Sequence, residues 1–451
     1  MTAAEQSLYV EALGVGMQRG YHILFTEMAS EITSFQEYLY TGGFFYWNRR
    51  FVLAYENMLC TLDPKYACLT IPYWDFYADY ARSMGRKCPN GGTSLEACSS
   101  ILRGLGGSQG SRRTVNINGR LVSGNCVTKA PANYFCESST IAASTQCARC
   151  IPRSNWASID FPSGFGYGGL GDLLAGANGF RDVSDKFKKA VLCTYIVSIH
   201  NSLGSSLSDF PAVSPADPLF FSIHATMDLV LQVYIECRLG DNLVPTDTGV
   251  SRWAFQKSSD LLGVVPPTET SLVKQLWMLN ESYAASRSPI RVEDHPKLGQ
   301  FFKPLPTKYW EFVNSNQLGQ YSYKYQRDDI FKNITSYPSA CPKLATGSTT
   351  GSDGDIATSS NFRRSAGSGG VETSSIDSDD AQELAIDFVG AVVNATLHAG
   401  GTEKMAFNQA ELMECQYYND NIADVEDYTP VFRNNFGLSP DDHPRCWDFT
   451  Q

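Results

Sequence analysis

The chain has 451 residues, 43% hydrophobic and 12% aromatic, enough to bury a large core and to hold more than one domain. A net charge of −11 argues against nucleic acid, whose phosphates want a basic face, and leaves room for a neutral phenolic or other small aromatic partner. No run of 18 apolar residues marks a membrane span.

Residues 3–28 read as one helix. Leu8, Leu13, Val15, Met17, Ile23 and Leu24 recur near helical spacing, with Gly14, Gly16 and Gly20 as weak points and His22 in the second half. Thr2 and Glu5 fit a capping box, so the chain opens as an amphipathic helix and not as a signal peptide. Residues 44–60 form a second helix, in which Arg50 and Glu56 are candidates for a charge network. A turn at Asp63-Pro64 leads to the aromatic segment Ile71-Pro72-Tyr73-Trp74-Asp75.

Eight of the 13 cysteines fall between Cys60 and Cys150: Cys60, Cys68, Cys88, Cys98, Cys126, Cys136, Cys147 and Cys150. A clustered even set in a Gly- and Ser-rich stretch reads as disulfides made in an oxidising compartment. Residues 85–165 are therefore taken as a disulfide-braced insertion. Cys147-x-x-Cys150 is half of a zinc pattern, but no second pair follows it, which favours a disulfide reading. Sequons at Asn280, Asn333 and Asn394 fit a secreted glycoprotein.

Residues 185–204 form a helix with His200 near its end and Gly204 as its stop. Residues 214–238 form the most apolar helix, with Asp217 as N-cap and Pro218 at the first helical position. It carries His224 and, four residues on, Asp228 on the same face. Trp253, Leu262, Leu272, Leu276 and Trp277 suggest two further helices, and residues 309–325 form an aromatic-rich cover. Residues 343–380 lack apolar content and read as a flexible linker, and residues 381–451 as a small helical C-terminal subdomain.

Three stretches carry a family resemblance. Asp217-Pro218-x-Phe220-Phe221-x-x-His224-x-x-x-Asp228 resembles the copper signature of the tyrosinases, the type 3 copper phenol oxidases. Phe44-Phe45-Tyr46-Trp47-Asn48-Arg49-Arg50 and Pro72-Tyr73-Trp74-Asp75 resemble two more family segments in the same order, so that the likeness covers about residues 5–240. The resemblance implies a mainly α fold: a tyrosinase-like core four-helix bundle with long irregular, disulfide-braced loops, within a domain spanning residues 1–342. It also implies two copper ions on six histidines, and oxidation of phenols or o-diphenols to o-quinones by O2.

Checked position by position, most of the implied ligands are replaced. His200 and His224 match two ligands of the second ion, but Ile196 stands where a third is expected. For the first ion, Ala29, Leu39 and Asn48 occupy the three positions. His22 lies seven residues before Ala29 and is a candidate only in another register. Aliphatic side chains cannot coordinate a metal and an amide is a poor copper ligand, so at most one weakly bound copper is expected. Two accounts follow: a copper oxidoreductase scaffold whose activity is lost or altered, or a non-catalytic secreted protein that uses the fold for binding or in a wall or matrix.

Overall fold

The Thr2 hydroxyl accepts the Glu5 N–H, and the Glu5 carboxylate takes the Thr2 N–H at 2.6 Å in return. This capping box starts α1, Ala3–Gln18. The single helix expected over residues 3–28 is two helices, because Gly20 sits at φ +75° and restarts the chain as α2, Tyr21–Ser30. Only glycine takes that conformation at little cost. The computed structural model describes residues 2–31, 34, 44–142, 146–162, 197–239, 277–279, 289–327 and 331–332. The chain divides into two compact units, residues 1–258 with 267–346, and residues 259–266 with 347–451. All described residues fall in the first. The segments read as linker and C-terminal subdomain lie outside them, as do Asn280, Asn333 and Asn394.

The fold is mainly α. Next come α3, Phe44–Thr61, a short α4, Phe76–Met84, and two helices near residue 200 described below. On α3, Phe51 and Tyr55 stack on Phe221 at 5.6 and 3.6 Å, and Phe25 of α2 meets both rings edge-on. Each of these four rings is buried, so this aromatic wedge fixes how the helices approach one another.

Residues 85–165 contain order that their composition hid. β1, Ser111–Ile117, β2, Arg120–Val127, and β3, Ile151–Arg153, form an antiparallel sheet in that order. Disulfides join Cys88 to Cys98, Cys126 to Cys150, and Cys136 to Cys147. Cys147 and Cys150 are thus both bridged, each to a partner outside the Cys-x-x-Cys pair. Cys60 and Cys68 are not bridged, which corrects the reading of all eight as paired. The sheet packs Val115, Ile117 and Val127 against Met17 and Ile23, giving α1 and α2 a second core.

The described part of the helix bearing His200 is α5, Val197–Leu203, and Gly204 at φ +61° ends it. α6, Leu219–Leu239, follows a 3₁₀ stretch. Its cap is Asp217, whose Oδ1 accepts the Leu219 N–H at 3.1 Å. Asp217 is also clamped by the Arg153 guanidinium at 2.7 and 2.8 Å, with both side chains fully buried. Arg153 donates as well to the carbonyls of Leu105 and Gly107, so the disulfide-braced insertion is bolted to the start of α6. Residues 219–237 have the length and hydropathy to cross a membrane, but 94% of that window is buried inside the protein, where it makes core contacts. Trp277, taken as helical from its spacing, lies in a short strand, Trp277–Leu279, paired antiparallel with Pro289–Arg291.

Candidate metal centre

The motif around His224 places that residue one turn into α6, where Phe220 covers its ring at 4.0 Å and Phe44 of α3 lies at 5.8 Å. His200 of α5 meets it with ring centroids 6.2 Å apart and planes at 75°. The Leu207 carbonyl can only accept, so His200 Nδ1 carries the proton of their 2.6 Å bond. That leaves a lone pair on His200 Nε2, and among the described residues this buried nitrogen has no partner. The buried His224 Nδ1 likewise has none among them. Burial lowers the pKa of both rings, and the neighbouring His200 lowers that of His224 further.

These are properties of a ligand pair. A ring that donates one N–H to a backbone carbonyl has its tautomer and direction fixed for a metal at the other nitrogen. Neutral imidazoles suit copper, and the ring separation is compatible with one ion at metal–nitrogen distances of about 2.0 Å. The donor set goes no further. Among the described residues no group of three or more His, Cys, Asp and Glu side chains is arranged to hold a metal.

The other positions are brought near, but with different chemistry. Ala29 is fully buried on α2. Asn48 on α3 donates its amide N–H to the Phe44 carbonyl at 2.7 Å, one turn back, and its buried Oδ1 has no partner among the described residues. Leu39 and Ile196 lie outside the described residues. His22 has no vacant nitrogen: Nε2 donates to the Ala216 carbonyl at 2.8 Å, so Nδ1 accepts from the Tyr55 hydroxyl at 2.6 Å. Burial pushes the His22 pKa down to about 4.

The buried charges around this centre are structural. Asp228 accepts from Arg49 Nε at 2.5 Å, from the Tyr325 hydroxyl at 2.6 Å and from the Tyr323 hydroxyl. The aromatic-rich segment is therefore tied to α6 by two phenols on one carboxylate. Arg50 pairs with Glu293 at 2.9 Å and not with Glu56, which instead accepts the Ile71 N–H. Nothing in the spacing singled out Leu207, which acts through its backbone carbonyl, or Tyr55, Arg153 and Glu293, which act from elements distant in sequence.

The family described as the common central domain of tyrosinase matches residues 18–236. Among individual proteins, grixazone synthase of Streptomyces griseus subsp. griseus is 32% identical over 93 residues, which is 18% of this chain and 29% of that protein. The chain thus matches less than a third of that relative's length.

Proposed function

Since this chain belongs to the tyrosinase family through its central domain, residues 18–236, we propose that it is a tyrosinase-fold protein whose two-copper centre has decayed to a single half-site. The family implies copper and the oxidation of phenols to o-quinones. When two copper ions are bound by six imidazoles they supply O2 chemistry to a phenol ring; among the described residues His200 and His224 are the ones that offer nitrogens toward such a site. The observation that carries the reading is their pairing: two neutral rings meeting edge-on, each with a buried nitrogen that has no partner among the described residues. His200 is aimed by the Leu207 carbonyl, and Phe220 and Phe44 exclude water from His224.

At the positions of the first ion the residues do not fit a metal. Ala29 has no donor atom, Leu39 is aliphatic, and the Asn48 amide N–H is engaged by its own helix; at the second ion, Ile196 is aliphatic too. His22 does not fill the gap, because both of its nitrogens are in use. A lone, weakly held ion cannot carry out the two-electron reduction of O2 as a pair does. Phenol oxidation of the kind the family performs is therefore lost or altered. The remaining role is binding or assembly on the tyrosinase fold. Disulfides in the insertion support an oxidising, extracytoplasmic location for it.

The test is copper affinity measured by competition against a chelator. His224→Gln, close to histidine in size, is expected to weaken binding at least about tenfold. Unchanged affinity would show that the pair does not hold the metal. Phenol oxidase turnover by the copper-loaded wild type would show that further ligands exist.

A further inference from the structure

A second concavity, of about 680 Å³, opens on a different face of α3 from the histidine pair. Neither His22, Asn48, His200 nor His224 lines it. Its size is that of a small-molecule site. Its walls are about half apolar, with Val52 and Leu53 of α3, Ile71 and the side chains of Tyr9, Tyr73 and Trp74 set among polar and charged groups.

The charges around it do not balance. Arg49 is matched by Asp228, and Arg82 is matched by Asp79, which also takes the Trp74 indole N–H at 2.7 Å. Asp75 caps α4 through the Ala78 N–H, and Lys324 stands out in solvent. Glu56 is different. It is half-buried, it lines the cavity, and its one bond is from the Ile71 N–H at 2.8 Å; among the described residues no cation pairs with it. A carboxylate without a counter-ion, set among aromatic faces, is the recognition set for an organic cation: it supplies the charge, and the rings add cation–π attraction.

We propose that this cleft binds a small aromatic ammonium ion, with Glu56 as the counter-charge of the amine and Tyr73, Trp74 and Tyr9 as the wall against its ring. The site is separate from the metal half-site and does not depend on it. Burial raises the Glu56 carboxyl to about 7, with the Ile71 N–H opposing the shift. The groups beside it titrate elsewhere: the Tyr9 hydroxyl on α1 is pushed upward, and the Cys60 thiol, one turn along α3, is pushed up to about 11. Burial raises Asp79 too, with Trp74, Arg82 and Ser99 opposing the shift, and its carboxylate is already paired with Arg82. Glu56 has no such cation among the described residues, and cation binding strengthens as pH rises and it ionises.

The experiment is isothermal titration of the full chain with 2-phenylethylammonium chloride, which has no phenol to oxidise and stays cationic below pH 9. Affinity is expected to be about tenfold higher at pH 8 than at pH 6, following the ionised fraction of a carboxyl near 7. The uncharged 3-phenylpropanol is expected to bind at least tenfold more weakly at pH 8. Glu56→Gln, with near-UV circular dichroism as the fold control, is expected to lose the pH dependence and to bind at least tenfold more weakly at pH 8. No binding, equal affinity at both pH values, equal binding of the alcohol, or a folded Glu56→Gln that binds like wild type would each overturn the proposal. If that variant does not fold, the wild-type pH and alcohol comparisons decide alone.

Discussion

Burial holds His22 neutral down to about pH 4, whereas the same ring in the unfolded chain takes up a proton near its ordinary value of 6.5. The native state therefore binds fewer protons than the unfolded state between those two values. The His22 contribution is complete above pH 6.5 and is lost as pH falls toward 4, amounting to roughly 3 kcal/mol in all. His22→Gln is expected to flatten the dependence of urea-unfolding free energy on pH across that window; an unchanged slope would refute a native neutral His22. Its partner gives a second test. Tyr55→Phe removes the donor to His22 Nδ1 and leaves a buried acceptor unsatisfied, so a loss of about 1–3 kcal/mol is expected. A histidine deep in an apolar helix was visible in the sequence. That it is a structural bridge between α3 and the turn before α6 was not, because the Ala216 carbonyl that receives its proton leaves no mark on residue type.

At the scale of elements, α6 shows how far local chemistry reaches. Asp217 and Pro218 predicted its start, since a cap and its helix lie within one turn. The guanidinium that holds the cap comes from Arg153 on β3, 64 residues earlier in the chain, and no local pattern announces such a pair. Arg153→Met is expected to cost about 3–5 kcal/mol, because it strands a fully buried carboxylate. The Ser206 hydroxyl also donates to Asp217, at 3.2 Å, so a loss below about 1 kcal/mol by urea denaturation would show that Ser206 and the Leu219 N–H satisfy Asp217 without Arg153. The same distinction explains the break at Gly20 and the hidden sheet. Apolar residues recur on both sides of Gly20, so their frequency alone joined α1 to α2. Within residues 85–165, β1 exposes its first four residues and has little alternation to read. There the sheet takes its order from tertiary packing on Met17 and Ile23 and from the disulfides.

For the molecule as a whole, the scaffold and the site give different answers. Helices α2, α3, α5 and α6 carry His22, Asn48, His200 and His224, and the Phe25–Phe51–Tyr55–Phe221 cluster and the Arg49–Asp228 pair hold α2, α3 and α6 together. Those contacts use protein groups alone. The expected ligand positions were legible because family spacing is read along the chain, and residue type then decides which of them can coordinate. What spacing missed is the set of partners that orient the survivors, Leu207 for His200 and Phe220 and Phe44 around His224. The most direct measurement is copper per chain after saturation and removal of excess metal, together with O2 uptake on a diphenol. One copper or fewer per chain, lost on removal of His200 or His224, and no O2 uptake is the expected result. Two coppers per chain with quinone formation would contradict the account.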